Sequence, residues 1–341
     1  MPMTAHPAAF TPAFPVLVAD IGGTNARFAL VNSATSPSLI FPIIATARFA
    51  DPIDAIESLA AEASWVAPRS AILAIAGPVT GDEVPLTNCP WTVAPKRMIA
   101  QLGLEDVVLV NDFEAQALAL PSLGAEDVLK IGGGESLHNA PMAVLGPGTG
   151  LGVASMIQAG GVWIPVPGEG GHVSLGPETA RDFEIWPHIE PLDGRVTAEH
   201  ILSGSGILRL ARAIAAADRV ACPYALPEAV TEGAEGGEPL AVETLETFAR
   251  LLGRLAGDMA LVALARGGVF IAGGVSLKIQ RFLTDGAFRR AFEDKAPHRG
   301  LVAGIATYLV THPRPALIGL AGYASAPQLF ALELDGRRWR R

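Results

Sequence analysis

The first continuous apolar run, residues 15–19, leads into Asp20 and reads as a buried strand. Gly22-Gly23 turns the chain, and residues 26–31 read as a second strand, so the ordered part opens as a β-hairpin on a glycine turn. Residues 40–45 read as a third strand. Asp51-Pro52 then opens a helix, because Asp is an N-cap residue and proline fits the first helical position. Ile53, Ile56, Leu59 and Ala60 give that helix one apolar face. Residues 71–76 form the next strand, closed by Gly77-Pro78. Residues 107–110 (VVLV) form another, followed by a helix over 112–120. This order predicts that the first three strands form an antiparallel meander, with the last two strands in the same sheet.

The pattern then recurs. Residues 142–145 are a strand, Gly146-Pro147-Gly148-Thr149-Gly150 a glycine turn, and 151–156 a returning strand. Both hairpins carry Gly-Thr in the turn, which reads as two similar halves; the period is far too long for a solenoid. The second half is helix-rich, with helices expected over 180–189, 205–217 and 240–265. A late strand over 269–272 ends in Gly273-Gly274. A terminal helix over 316–324 is expected to fold back on the first half. Residues 1–14 hold three prolines and no periodicity, and read as a loose arm.

Composition narrows the class. The 341 residues suit two domains at ~100–200 residues each. Half are hydrophobic and 17% are charged, which excludes intrinsic disorder. A net charge of −9 offers no general field for nucleic acid or anionic lipid. The one basic cluster, Arg337, Arg338, Arg340 and Arg341, reads as a frayed, solvated terminus. Cys89 and Cys222 make no metal-spaced cluster and suit a reducing compartment. The first Lys or Arg is Arg27, so a secretory leader is not expected. The uncharged span 136–168 contains Pro141, Pro147, Pro165 and Pro167, and cannot be one membrane helix. A cytoplasmic protein without nucleic-acid or membrane partners is expected.

A glycine turn between strands aims successive backbone N–H groups into one concavity, which binds phosphate oxygens without net positive charge. One such turn is also an ordinary hairpin; two in matching halves, each with a threonine, point further towards phosphate. Neither is a Walker A loop, since no GxxxxGK[ST] occurs, and a strand rather than a helix follows the glycines, unlike a Rossmann fingerprint. Asp20, at a strand end, reads either as a turn-forming residue or as a ligand of Mg²⁺, which binds through few carboxylates and several waters. Gly273-Gly274 leaves room for a flat ring, though such strand-to-helix joints are common.

Asn111-Asp112 follows an apolar strand, at the end where α/β sheets place ligands. Asp112 reads equally as a helix N-cap. Glu169 and His172 lie in the glycine-rich stretch Glu169-Gly170-Gly171-His172, either as ligands or in a solvated loop. Glu199 reads either as a ligand or as part of a capping box with Arg195 or Val196 near the N-cap. His172 has no second His or Cys at metal-ligand spacing. Together these residues suggest a nucleotide on one side and a polyhydroxylated ligand on the other.

The segments LVADIGGTNARFAL, LVNDFEAQALAL, VLGPGTGLGVA, PGEGGHVSLGP, EHILSGSGI and FIAGGV together resemble the bacterial glucokinase family, over about residues 16–323. This is a branch of the sugar kinases that share the actin, Hsp70 and hexokinase ATPase fold. The resemblance implies an α/β, two-domain actin/hexokinase-like (ribonuclease H-like) fold with the active site in the interdomain cleft. A small domain of 1–121 plus 313–341 and a large one of 122–312 are expected. It implies ATP- and Mg²⁺-dependent phosphorylation of glucose at the 6-hydroxyl. Asp20, Gly22, Gly23, Thr24, Asn25 and Arg27 would form the first phosphate loop, with Asp20 near Mg²⁺ through water. Gly146, Gly148, Thr149 and Gly150 would form the second, and Gly273 and Gly274 would face the adenosine. Asn111, Glu169, His172 and Glu199 would hold the sugar hydroxyls, and Asp112 would be the catalytic base. A homodimer is the expected assembly. A kinase for mannose, fructose or an amino sugar would keep every motif, and a non-catalytic sugar sensor would keep the fold. The cysteine-rich zinc motif of the related repressor/kinase group is missing, and no N-terminal helix-turn-helix pattern is seen.

Overall fold

The computed structural model describes residues 10–77, 79, 81–86 and 89–341. The first nine residues of the expected loose arm, and the expected Pro78 turn, lie outside the described residues. Contacts divide the chain into two compact units. One comprises Met1–Leu123, Met156–Pro167 and Pro313–Arg341; the other comprises Gly124–Ser155 and Gly168–His312.

The sheet of the first unit is built on three parallel strands, Val16–Ile21, Ser70–Ile75 and Asp106–Asn111. Their near-continuous apolar runs are those of strands buried on both faces. Asn25–Val31 returns antiparallel to Val16–Ile21, and Leu39–Ile40 continues the meander. The strand expected over 40–45 is broken in two, Leu39–Ile40 and Ile44–Ala45, with Pro42 between them. Proline has no N–H for the ladder. Helix Pro52–Ser58 starts as expected: Asp51 accepts the backbone N–H groups of Ile53 and Asp54 at 2.8 and 3.1 Å. On one face of the sheet Leu17, Ala19 and Ile21 join Ile53, Ile56, Trp91 and Met98 in the core. Helix Pro315–Ser325 packs on helix Asp112–Ala119 and on the Val16–Ile21 strand.

Register fixes what stands at the sheet's upper edge. Ile21 pairs with Ile75, and Ile75 with Asn111. Asp20 and the Asn111-Asp112 step therefore lie at the same C-terminal edge, one strand apart on either side of Ser70–Ile75. At ~4.8 Å per strand they are about 10 Å from each other.

The described terminal segments are more ordered than their composition suggests. Phe10 is buried and stacks on Tyr323. Arg338–Arg340 forms an edge strand antiparallel to Asp106–Asn111, so the arginine-rich terminus is not frayed. Backbone pairing, together with the Arg338–Asp106 ion pair, overrides the repulsion among its cations.

The second unit repeats the parallel arrangement with Met142–Pro147, Gly268–Ile271 and Thr307–Val310, and Val128–Gly132 pairs antiparallel with Thr307–Val310. The strands Val162–Gly168 and Val128–Gly132 are not legible from periodicity. Helices Gly204–Ala217, Pro227–Glu235, Pro239–Val262 and Ala287–Glu293 surround one apolar core. The expected helix over 180–189 is α only to Ile185, after which Trp186–His188, carrying Pro187, tightens to a 3-10 turn. Residues 122–312 are expected together from the sequence, yet Met156–Pro167 groups with the first unit. There Trp163 accepts the Ala331 N–H at 2.8 Å, a partner from the C-terminal segment.

Candidate active site

The first glycine turn is closed by a hydrogen bond from the Gly22 N–H to the Asn25 carbonyl, 3.0 Å. Thr46, which sequence reasoning missed, holds it from outside. Its hydroxyl donates to the Gly23 carbonyl at 2.9 Å, and its N–H to the Thr24 carbonyl at 2.9 Å. Thr24 and Asn25 stand exposed at the tip. Asp20 and Arg27 face each other across the hairpin and form an ion pair at 3.2 Å. Burial pushes the Asp20 carboxyl above its usual value, while the Arg27 guanidinium pulls the other way. Arg27 thus compensates the one carboxylate of this turn.

At the end of the Asp106–Asn111 strand, the helix cap is Asn111 and not Asp112. The Asn111 side chain accepts from the N–H groups of Phe113 and Glu114 at 2.9 and 3.3 Å. Glu114 completes the capping box by accepting the Asn111 N–H at 3.4 Å. Asp112 is the first helical residue, and its Oδ1 accepts the Phe113 N–H at 2.9 Å. With Asn111 serving as cap, the N-cap reading of Asp112 is removed.

In the second unit several expected residues meet at one place. The Gly148 N–H donates to the Gly150 carbonyl at 2.8 Å, and the Gly204 N–H to the Gly148 carbonyl at 2.8 Å. Gly204 opens a 14-residue helix capped by Ser203, a neighbour of the turn not foreseen from sequence. Gly273 has φ +85°, and a Cβ there would lie 2.4 Å from the Pro147 carbonyl oxygen. Only glycine accepts both that conformation and that approach. Gly274 begins the following short helix and is exposed.

Glu199 sits in the short helix Ala198–Ile201, capped by Thr197 rather than by Arg195 or Val196. Its carboxylate accepts the Leu151 N–H at 2.8 Å, directly after the second turn. Leu151 also sets the place of Glu169 and His172. A Cβ on Gly171 would fall 2.0 Å from the Leu151 carbonyl oxygen, so only glycine lets this loop lie on the strand. The 3-10 turn Gly170–His172 presents both side chains outward, with His172 Nε2 3.6 Å from Glu169 Oε2. Arg195 steadies the loop by donating to the His172 carbonyl and the Ser174 hydroxyl at 3.2 and 3.0 Å. Glu169, His172 and Glu199 are thus gathered around Leu151, beside the second turn.

Among the described residues, no group of three or more His, Cys, Asp or Glu is placed to hold a metal ion. None of their helices is long and apolar enough to cross a membrane.

A glucokinase family profile matches residues 17–327. The glucokinase of Mesorhizobium japonicum is 53% identical over 328 residues, 96% of each chain. That of Rhizobium etli is 52% identical over 342 residues, spanning 100% of both. The crystal structure of a glucokinase from an Antarctic psychrotroph is 32% identical and shares the fold at a TM-score of 0.81, over 92% of this chain and 98% of that one. The chain belongs to the glucokinase family. Glucokinase-family membership carries the hexokinase-like α/β fold with it, as the six sequence segments implied.

Proposed function

We propose that the chain transfers the γ-phosphoryl group of ATP to the 6-hydroxyl of D-glucose, giving glucose 6-phosphate. Family membership sets the reaction class. The observation that carries the site assignment is the sheet register, which puts Asp20 and Asp112 on one C-terminal edge about 10 Å apart. That separation suits one carboxylate beside the phosphates and another beside the accepting hydroxyl.

In this reading Gly23 and Thr24 of the first turn, and Thr149 and Gly150 of the second, donate to phosphate oxygens. Gly22 and Gly148 use their N–H groups to close the turns. Gly273 and Gly274 flank the adenosine. Asn111, Glu169, His172 and Glu199 bind sugar hydroxyls, and Asp112 accepts the proton of the 6-hydroxyl as its oxygen attacks phosphorus. Phosphoryl transfer needs little covalent chemistry from the protein beyond positioning and charge stabilisation.

The donor set fits Mg²⁺. A single partly buried carboxylate, Asp20, with a cation already opposite it, is compatible with an ion that keeps several waters and binds substrate phosphates. Bound there, Mg²⁺ supplies neutralisation of phosphate charge. The free cysteines Cys89 and Cys222 fit a reducing, cytoplasmic setting.

The test is a coupled assay of the purified full-length protein with ATP, Mg²⁺ and a panel of hexoses. Glucose should show a kcat/KM at least tenfold above mannose, fructose and glucosamine. A different preferred hexose would overturn the substrate. Glucose binding without any product would make the chain a sensor.

A further inference from the structure

We propose that Arg337, in the arginine-rich C-terminal tail, is a positioning residue for the Asn111-Asp112 pair; this rests on the kinase reading above. The tail strand pairs Arg338 with Val108, Trp339 with Val107 and Arg340 with Asp106. One residue earlier, the Arg337 carbonyl accepts the Leu109 N–H at 3.0 Å. This register carries Arg337 to the end of the strand that becomes Asn111.

From there its side chain reaches inward. Arg337 Nη1 lies 2.6 Å from Glu114 Oε2, and the Glu114 side chain is only 1% exposed. The same Oε2 accepts the Asn111 N–H at 3.4 Å. Asn111 in turn caps the helix through the Phe113 and Glu114 N–H groups. One buried carboxylate oxygen therefore joins the tail to the residue preceding Asp112.

The electrostatics give this link its force. Burial pushes the Glu114 carboxyl up, and the charge and hydrogen bond of Arg337 oppose that rise. Removing one partner of a buried pair leaves an uncompensated charge. Without Arg337, Glu114 must take up a proton or turn towards water. A protonated Glu114 could still accept the Asn111 N–H, as a glutamine amide would; an ionised one that turns towards water releases that bond and shifts the helix start. A misplacement of ~1 Å in a reacting group costs about a hundredfold in rate.

Arg338 supplies the contrast. It pairs with Asp106, near the beginning of the same strand, and lies over the Phe10 ring at 4.7 Å. It fastens the tail at the opposite end of that strand from Asn111.

The experiment compares the full-length protein with Arg337→Met, Arg338→Met and the double variant Arg337→Met/Glu114→Gln, at a temperature where each is folded by circular dichroism. Arg337→Met should lower kcat at least tenfold. Arg338→Met should lower the melting temperature and leave kcat within twofold. The double variant should regain most of kcat, because the side-chain amide introduced by Glu114→Gln would still accept the Asn111 N–H without a buried charge. A kcat within twofold of the parent for Arg337→Met, or an equal loss for Arg338→Met, overturns the proposal. If Arg337→Met does not fold, Arg337→Lys takes its place, with a smaller loss expected and parental kcat overturning. If the parent itself turns over no sugar, the kinase reading fails separately. Amide exchange at Phe113 and Glu114 then decides: faster in Arg337→Met than in Arg338→Met supports the link, and equal rates overturn it.

Discussion

The Glu199 carboxylate and the Leu151 backbone N–H are hydrogen-bonded at 2.8 Å, which ties a proposed sugar ligand to the first residue after the second glycine turn. A Cβ on Gly150 would fall 2.4 Å from the same carboxylate oxygen, so side chain and turn fit against each other closely. In the proposed function this carboxylate has two tasks: one oxygen fixes the turn and the other would take a sugar hydroxyl.

Glu199→Ala should therefore raise the KM for glucose at least tenfold and the KM for ATP as well. An unpaired buried polar group costs ~1–3 kcal/mol, and here the loss falls on both substrates. Glu199→Gln keeps an oxygen for Leu151 and should leave the ATP KM near the parental value. Glu169, exposed and taking no part in that bond, should behave differently: Glu169→Ala should raise the glucose KM at least tenfold and change the ATP KM much less. Steady-state kinetics with each substrate varied in turn checks all three.

Asp112→Asn should lower kcat at least a hundredfold while glucose still raises the melting temperature. A positioned general base is worth ~10²–10⁴-fold. The helix cap belongs to Asn111, so the substitution leaves the helix start intact. Parental activity in this variant would remove Asp112 from the chemistry.

Gly171→Ala should destabilise the second unit and weaken glucose binding together. The added methyl meets the Leu151 carbonyl oxygen at 2.0 Å, a backbone atom that can retreat only by moving the strand. Overpacking of this kind costs ~1–3 kcal/mol. Gly176→Ala, in the same loop with nothing within 4 Å of the new methyl, is the control and should be neutral in both melting temperature and glucose titration.

His200 predicts a pH effect on stability. Burial, reinforced by the Arg209 charge, pushes its pKa below the ordinary 6.5, and its Nε2 lies 2.9 Å from the Glu190 carbonyl. A lowered folded pKa means that its contribution is present above pH 6.5 and is lost as pH falls through the folded value. Asp20 and Glu114 act oppositely. Their raised pKa values add stability below the ordinary carboxylate range, which is lost as pH rises through the folded values. The His200 contribution to the melting temperature should thus be lost as pH is lowered below 6.5, against the opposite trend of the two carboxylates, and His200→Gln should make the acid limb shallower than the parent's. An unchanged slope in the variant would assign the acid limb to other groups.

The chain by itself determined the parts whose signal is local. Unbroken apolar runs marked the parallel strands other than Thr307–Val310, because strands covered on both faces need no polar alternation. Glycine-rich turns, each leading into a returning strand, marked both hairpins, and Asp51-Pro52 marked a helix start. The six motif segments were enough to place the chain in its family. Tertiary structure decided everything that depends on a partner far along the chain. Arg338 meets Asp106 across 232 residues, and Arg337 meets Glu114 across 223. No local pattern distinguishes such arginines from a solvated tail. Asn111 rather than Asp112 became the cap because the strand's register ends at Asn111, leaving its side chain in reach of the Phe113 and Glu114 N–H groups. Glu199 found Leu151 only when the Ala198–Ile201 helix came to lie beside the turn. Periodicity tells which face of an element is buried; which carboxylate meets which N–H is set by packing and register, and those exist only once the sheets are assembled.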